Sequence, residues 1–476
     1  MDLLKMAKPS LLDVYKFLPQ TNCGECGEVN CMSFASKVLD RKSEPSDCPP
    51  LIKESQYKEK LESLKQLVIP PVKEIIIGEG KNSVKIGGKE VMYRHELTFH
   101  NQTGIAIDVS DTDTEEKIID RCKKTEEYKV ERIGDILTLN LITVRCASGD
   151  PKKFEEAVTT VIKNSSYPMI LCSYDPSILG AALRKPEVAK SRPLLYAATK
   201  ENWQDMVVLA KRHNCPLVAF SPNNLADLKS LVATIESAGV KEIVLDPGSY
   251  TAGSGLSNTI NNFVMIRRSS IKREEKGLNY PILGIPAMVW LNGGEDPVTS
   301  YEEAYVAAIM MARSADLLIM HTLHPWSVLP VATLRQNIYT DPRKPVAVDP
   351  GLRKIGKPDK TSPVLVTTNF ALTYYTVAND IEAQETDCYL LVANTGGLAV
   401  EVSVAGGQFT ANSVKELIES SKVKKMVNHK KMIIPQLAAR LRGDLEDETK
   451  WDVIVGPRDS SQIKDFITKN WNAPEG

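Results

Sequence analysis

The chain has 476 residues, of which 42% are apolar and 25% charged; a chain of that length and composition implies about three globular domains. Fifty-nine basic residues against 60 acidic leave a formal charge of −1, with only 6% aromatic, so no nucleic-acid partner is expected. The longest apolar stretch, Ile282–Leu291, is interrupted by Gly284 and Pro286 and falls short of the roughly 20 residues a membrane helix needs. No membrane partner is expected either.

The first residues, MDLLKMAKPSLLDVYKFLP, lack an apolar h-region and a small-residue cleavage site, so they read as mature, cytoplasmic protein. They pattern as a short amphipathic helix with Leu11, Leu12, Tyr15 and Leu18 on one face. Nine cysteines in so long a chain are not a disulfide framework. Four fall within Cys23–Cys48, while Cys122, Cys146, Cys172, Cys215 and Cys388 are scattered among apolar neighbours and read as small buried hydrophobes.

Residues 1–60 therefore form a cysteine-rich head, and residues 61–345 a second region. There, Tyr57–Leu67 patterns as a helix ended by Pro70 and Pro71, and residues 72–100 as a β-hairpin turning at Gly87-Gly88. Eight β-branched runs follow: Gly104–Val109, Ile136–Arg145, Pro168–Cys172, Pro193–Ala197, Pro216–Phe220, Glu242–Asp246, Pro281–Pro286 and Asp316–Met320. Amphipathic helical patterns such as Lys152–Lys163, Asn202–His213, Asn224–Ala238 and Tyr301–Ala315 lie between them. Strands apolar on both faces and separated by helices signal a parallel sheet. Eight over about 240 residues predict a central (β/α)8 TIM barrel; an open doubly wound sheet is the alternative, without a glycine fingerprint to support it.

A proline-rich linker is expected over residues 346–361, and a smaller Rossmann-like α/β domain over residues 362–476. Its expected strands are Pro363–Val366, Cys388–Ala393, Met432–Pro435 and Asp452–Val455; its helices are Phe370–Glu382, Ser413–Ser421, Gln436–Arg442 and Ser460–Asn470. The glycine pairs Gly396-Gly397 and Gly406-Gly407 permit close backbone approach to a ligand, at the strand ends where such sheets bind one. Ordinary turn glycines would look the same.

The head carries the sharpest chemistry. Cys23, Cys26, Cys31 and Cys48 are spaced C-x2-C-x4-C-x16-C. Four thiolates so close need a metal to offset their repulsion. A structural zinc usually takes two knuckles, and the second is missing here. Three close cysteines and a distant fourth followed by proline instead match the way [4Fe–4S] clusters are commonly held. Gly24 and Gly27 let the backbone fold around the sulfurs.

Other signals are weaker. His321 and His324 form H-x-x-H at the end of the eighth run without the glutamate of a metallopeptidase, so capping or packing at a barrel rim is expected. Asp246 and Asp349 each precede Pro-Gly, which is good turn chemistry, although a carboxylate on a barrel's C-terminal rim can be catalytic. The lysine-rich run Lys422–Lys431 reads as a solvated edge or a partner-facing surface. No D-x-H-x-x-G motif occurs, and His429 is the only histidine after residue 324.

The segments TNCGECGEVNCMSFASKVLDRKSEPSDCPPLIKE, IVLDPG, LLIMHTLHPWSVLP and TTNFALTYYTVANDI together resemble one family. It is the large, or gamma, subunit of the corrinoid iron–sulfur protein of the acetyl-CoA decarbonylase/synthase complex, and GDLEDET near the end favours the archaeal type. The resemblance covers nearly the whole chain. It implies a [4Fe–4S] domain, a TIM barrel and a corrinoid-binding domain. The implied activity is that of a methyltransferase: the chain carries a methyl group between a methyl-tetrahydropterin and the nickel site of acetyl-CoA synthesis or cleavage, and the cluster reductively reactivates cobalt.

By matching segments, it also implies a base-off cobamide held by Thr367, Thr373, Gly397, Leu398, Ala399, Val400 and Ser460, with Thr373 beneath the metal. The implied partners are a small (delta) subunit, forming a heterodimer, and the acetyl-CoA synthase/decarbonylase and CO dehydrogenase subunits. From the residues alone, two other readings stay open: an iron–sulfur electron-transfer or docking subunit without a corrinoid, and a barrel methyltransferase with a structural four-cysteine metal site.

Overall fold

A computed structural model of the chain describes residues 9–343 and 345–472. The chain divides into two compact units, one running to Lys129 and resuming over Thr138–Tyr339, the other taking Val130–Leu137 and the residues from Thr340 onward.

In the first unit the helix Leu11–Phe17 starts at a capping box of Ser10 and Asp13. It buries Val14 and Leu18 against Phe34, Ala35, Val38, Leu51, Leu61 and Leu64. Leu12, expected on the buried face, is 60% exposed, and Leu11 is exposed as well. The four-residue step from Val14 to Leu18 sets the face, and the adjacent leucine pair straddles it. Residues 1–8 of the expected helix lie outside the described residues. Asn30 caps the next helix, Cys31–Leu39, and Lys58–Leu67 follows as expected.

The hairpin pairs Glu74–Glu79 with Asn82–Gly87 and turns at Gly80-Lys81. Gly87 and Gly88 instead end its second strand with φ of +82° and +73°, so the turn expected there is displaced. At Gly87 a side chain would collide with the Lys73 carbonyl and the Pro281 ring.

Eight parallel strands follow: β1 (Gly104–Ser110), β2 (Leu141–Arg145), β3 (Met169–Cys172), β4 (Leu194–Ala198), β5 (Leu217–Phe220), β6 (Ile243–Asp246), β7 (Leu283–Gly284) and β8 (Leu317–Met320). Their order is β6-β5-β4-β3-β2-β1-β8-β7, and a parallel bridge from Leu245 to Ile282 joins the ends. The result is the expected (β/α)8 barrel. Strand residues are buried almost throughout because helices cover the outer face.

Two runs differ from expectation. Ile136 belongs to a separate hairpin of Lys129–Arg132 with Asp135–Thr138, and the barrel strand begins only at Leu141. The run Pro281–Pro286 yields a two-residue strand, since prolines at both ends cannot donate to a ladder.

The second unit holds β9 (Gly351–Ile355), β10 (Val364–Thr368), β11 (Cys388–Ala393), β12 (Lys431–Ile434) and β13 (Asp452–Val455). They are ordered β9-β11-β10-β12-β13. The last four are parallel and β9 is antiparallel to β11. Residues 346–361 are thus not merely a linker, because they supply an edge strand. The expected helix Gln436–Arg442 is a 3-10 turn, Gln436–Leu441, leading into a helix over Arg442–Thr449. One hydrophobic cluster packs around Val366, Leu391, Met432 and Trp451, and another around Leu365, Leu390, Ile433 and Ile381. Alternation along each strand sends neighbouring residues to opposite faces, so the sheet is covered on both sides.

Candidate functional site

Cys23, Cys26, Cys31 and Cys48 line one small cavity with Leu18, Gly24, Asn30 and Phe34. Cys31 and Cys48 are buried and Cys23 is exposed. Gly24 and Gly27 hold φ of +75° and +82°, which gives the loop its left-handed bends. Asn22 Oδ1 accepts from Cys31 N at 2.9 Å and closes the loop onto the helix. Burial pushes the Cys48 thiol up, and the charges of Cys26, Cys31 and Cys23 push it further.

The four thiols border one small cavity. Among the described residues, no three His, Cys, Asp or Glu side chains are grouped as a single metal ion requires. One zinc would draw all four sulfurs to about 2.3 Å from itself. A multi-iron cluster stands between its sulfurs, and this donor set fits one.

In the second unit a cavity of about 370 Å³ opens at the carboxyl ends of β10 and β12. Its position follows from the strand order: β11 lies on one side of β10 and β12 on the other, so the chain reverses direction there, and open α/β sheets bind ligands at such switch points. Thr367, Thr373, Ala399, Val400 and Ser460 line it, with Leu365, Leu372, Thr376, Ile434, Leu437 and Gly456.

Thr367 is buried and its Oγ1 has no hydrogen-bond partner among the described residues; the same holds for Thr368. An orphaned buried hydroxyl costs about 1–3 kcal/mol. Thr373, third in the helix Ala371–Ala383, makes no side-chain hydrogen bond among the described residues; its hydroxyl is not spent on a backbone carbonyl.

Two of the seven expected contacts do not line this cavity. Gly397 has φ of +77° and sits so close to Pro345 and Ala347 that a Cβ there would come within 2.9 Å of Pro345. Leu398 offers its carbonyl to Thr395 Oγ1 at 2.8 Å. Asn369 shapes this loop: its Oδ1 accepts from Thr395 N at 2.9 Å and Gly397 N at 3.0 Å. The Ser460 hydroxyl lines the cavity but donates to Asp380.

His429 is unavailable as a metal ligand. Its Nε2 lies 3.0 Å from the Ser362 carbonyl, and its Nδ1 accepts from Lys431 N at 3.2 Å. Burial pushes its pKa down. No axial histidine comes from that position.

The barrel's C-terminal rim is different in kind. Asp246, fully buried, accepts from Tyr196 Oη at 2.9 Å and Gly248 N at 2.8 Å. Burial pushes its carboxyl up to about 6, against the pull of both hydrogen bonds. His321 and His324 pair with different acids, His321 Nδ1 with Asp108 and His324 Nε2 with Asp296, each at 2.5 Å. They form no shared metal site. His324 also stacks on Trp326, which is the packing role expected for it. Of the five scattered cysteines, Cys122, Cys215 and Cys388 are buried as expected, whereas Cys146 and Cys172 at this rim are only half-buried.

A family model described as the CO dehydrogenase/acetyl-CoA synthase delta subunit matches residues 74–467, and an Fe–S cluster model matches residues 18–50. The acetyl-CoA decarbonylase/synthase complex subunit gamma of Archaeoglobus fulgidus is 48% identical over 474 residues, covering 99% of this chain and 100% of its own. Subunit gamma 1 of Methanosarcina mazei is 47% identical over 466 residues, covering 97% and 98%. The chain belongs to this gamma-subunit family.

Subunit gamma of Methanocaldococcus jannaschii is 43% identical, covering 98% of this chain and 97% of its own. Full-length relatives name gamma, whereas the segment model's description names delta; the full-length matches include the cysteine head and decide between them. Among solved structures, dihydropteroate synthase from Thermus thermophilus aligns with 56% of this chain and 97% of its own at 16% identity and a TM-score of 0.38, too distant a likeness to carry an argument. In this gamma-family chain, sequence reasoning missed Thr376, Gln436, Glu401 and Arg458 at the cavity, for only the folded strand order brings those segments together. Asn369 had a signal, the polar Thr-Thr-Asn that ends β10.

Proposed function

We propose that this gamma-family chain is a corrinoid/iron–sulfur methyl carrier. It takes a methyl group from a methyl-tetrahydropterin of the tetrahydromethanopterin or tetrahydrosarcinapterin type and exchanges it with the nickel site of acetyl-CoA synthase/decarbonylase. In that sense it is a methyltransferase within a multi-subunit complex. The observation that carries the reading is the switch-point cavity, lined by Thr367 with its unpartnered hydroxyl, Thr373, Ala399, Val400 and Ser460.

These five residues would hold a base-off cobamide, with Thr373 nearest the metal and too weak a donor to ligate it. Residues 362–476, with β9 added at the sheet edge, form the corrinoid domain; residues 1–60 form the cluster domain, with Cys23, Cys26, Cys31 and Cys48 as ligands of one [4Fe–4S] cluster. When bound, the cobamide supplies a strongly nucleophilic low-valent metal and the cluster supplies an electron for its reactivation. The chain's part is to withhold an axial donor, which favours the low-valent state. The internal hydrogen bonds of His429 support this.

A reactive centre on a small α/β domain also needs shielding from water. A small (delta) subunit paired with this chain would provide it, alongside the acetyl-CoA synthase and CO dehydrogenase subunits of the complex. The visible spectrum of the chain purified without oxygen tests the reading. Sharp corrinoid bands that shift on reduction, above an iron–sulfur shoulder, are expected. The shoulder alone would make the chain an electron-transfer subunit, and a colourless protein would point to zinc.

A further inference from the structure

The barrel rim carries a side-chain group that the methyl-carrier reading does not use. Asp108 on β1 is buried, and His321 follows β8 directly, so the closure of the barrel brings together residues 213 positions apart. His321 Nδ1 lies 2.5 Å from Asp108 Oδ1. Asp108 also meets Arg145 Nε at 3.2 Å and Arg121 at 3.4 Å. Burial works against its charge. The hydrogen bond from His321 and the charges of His321, Arg121 and Arg145 outweigh it, and the carboxyl stays below its ordinary range. An ionised Asp108 accepts, so Nδ1 carries a proton, and the carboxylate offsets the charge of the imidazolium that forms when Nε2 takes a second proton from water.

The ring is fixed from other sides as well. Trp290 stands edge-on at 5.0 Å. Arg121 donates to the His321 carbonyl at 2.6 Å. Glu303, buried on the helix Val298–Ala312, accepts from Trp290 Nε1 at 3.0 Å and Thr322 N at 2.8 Å, and from His321 N. The imidazole is thus held by its Nδ1, its backbone and one face. Its Nε2 makes no hydrogen bond among the described residues, and the side chain is 32% exposed. By contrast, Asp246 is fully buried with both oxygens engaged. Unlike Asp246, His321 presents an oriented ring nitrogen with no hydrogen bond among the described residues, at the end of the barrel where catalytic groups sit.

We infer that His321 is a general acid of the barrel rim, with Asp108 as its positioning residue, and that it protonates the leaving ring nitrogen of a tertiary-amine methyl donor. The inference rests on the methyl-carrier reading, which makes that donor a methyl-tetrahydropterin. The bond from ring nitrogen to methyl breaks, and both its electrons stay on nitrogen. The acceptor, the reduced cobamide, supplies the pair for the new bond and is oxidised by two electrons. The proton on Nε2 passes to the nitrogen, which ends as a secondary amine, and water returns a proton to the imidazole. Arg145, 46% exposed beside Asp108, gives the same rim a cation for an anionic group on the donor.

The test compares two methyl donors in the assembled, cobamide-loaded complex reduced chemically beforehand. Methyl iodide needs no proton on its leaving group, whereas the tetrahydropterin does. His321→Gln is expected to slow transfer from methyl-tetrahydropterin by about 100-fold or more and to leave transfer from methyl iodide within twofold. Asp108→Asn is expected to move the same ratio in the same direction. Equal loss with both donors, or an unchanged pterin rate, overturns the inference. A wild-type complex that accepts methyl iodide but no methyl from the tetrahydropterin overturns the methyl-carrier reading with it.

A second readout needs no turnover. In the cobamide-free wild-type chain labelled with 15N-histidine, the Nε2 resonance absent from His321→Gln should shift when tetrahydropterin is added. No shift at saturating tetrahydropterin also overturns the inference.

Discussion

The two strand-end surfaces of this molecule solve opposite problems. In the second unit, the cavity at the ends of β10 and β12 is walled mostly by threonines, alanine and aliphatic side chains, with Glu401, Gln436 and Arg458 among them, and two buried hydroxyls in the β10 strand, those of Thr367 and Thr368, have no partner among the described residues. At the barrel rim nearly every polar group is matched: Asp108 with His321, Arg121 and Arg145, Glu303 with three N–H donors, and Asp246 with Tyr196 and Gly248. The first surface leaves interactions unmade and keeps space, as a site for a large, mostly apolar group does. The second holds charges ready and leaves one imidazole nitrogen open, as a site that moves protons does. Residue chemistry at strand ends, more than fold class, separates holding a cofactor from acting on a substrate.

The largest expected effect lies in the head. Cys31→Ser should abolish the iron–sulfur absorption and with it the reductive rescue of oxidised cobalt. Methyl transfer should persist when the metal is reduced chemically beforehand, which a stopped-flow assay with a chemical reductant would check. A pre-reduced variant that still cannot be methylated would give the cysteines a different role.

Asp246 offers a sharp contrast on the rim. Its carboxyl titrates at about 6 in the folded chain and at about 3.9 unfolded. The folded state therefore holds the proton more tightly. The stability this group contributes is present below pH 4 and lost as pH rises through about 6. Two units correspond to about 3 kcal/mol. Asp246→Asn should remove that slope, so the variant gains on the wild type by about that amount between pH 4 and 7 in denaturant titrations. A constant difference across that range would mean the carboxyl titrates normally.

The smallest effect isolates the orphaned hydroxyl. Thr367→Val keeps the shape and removes an unpaired buried group, so the cobamide-free chain should be stabilised by about 1 kcal/mol. Cobamide affinity should fall at the same time. Asp246 cannot show this opposition, because both its oxygens are already paired. Thermal melts with and without cobamide would resolve the two signs.

The legible parts of this molecule are those written in local chemistry. The head could be read because four thiols within 26 positions, Cys23 to Cys48, leave few options but a metal. The barrel could be read because strands buried on both faces leave continuous apolar runs. Strand β9 stayed hidden, since Arg353 and Lys354 and the flanking prolines look like a linker, while an edge strand needs only one covered flank. The hairpin Lys129–Arg132 with Asp135–Thr138 was absorbed into a barrel strand because Ile136 extends the apolar run, although Ile136 is exposed. The Asp108–His321 pair could not be read at all. Only the pairing of β1 with β8 creates it.

The most direct test of a cobamide seated over Thr373 is the electron paramagnetic resonance spectrum of the Co(II) cobamide bound to Thr373→His. The wild-type chain, with no nitrogen below the metal, should show no nitrogen splitting. The histidine variant should bind the same cobamide and show the three-line pattern of one axial nitrogen, together with a cobalt couple that is harder to reduce. An unsplit signal and an unchanged potential in the variant would place the lower face of the corrin elsewhere, and Thr367 and Ser460 would lose their assignments with it.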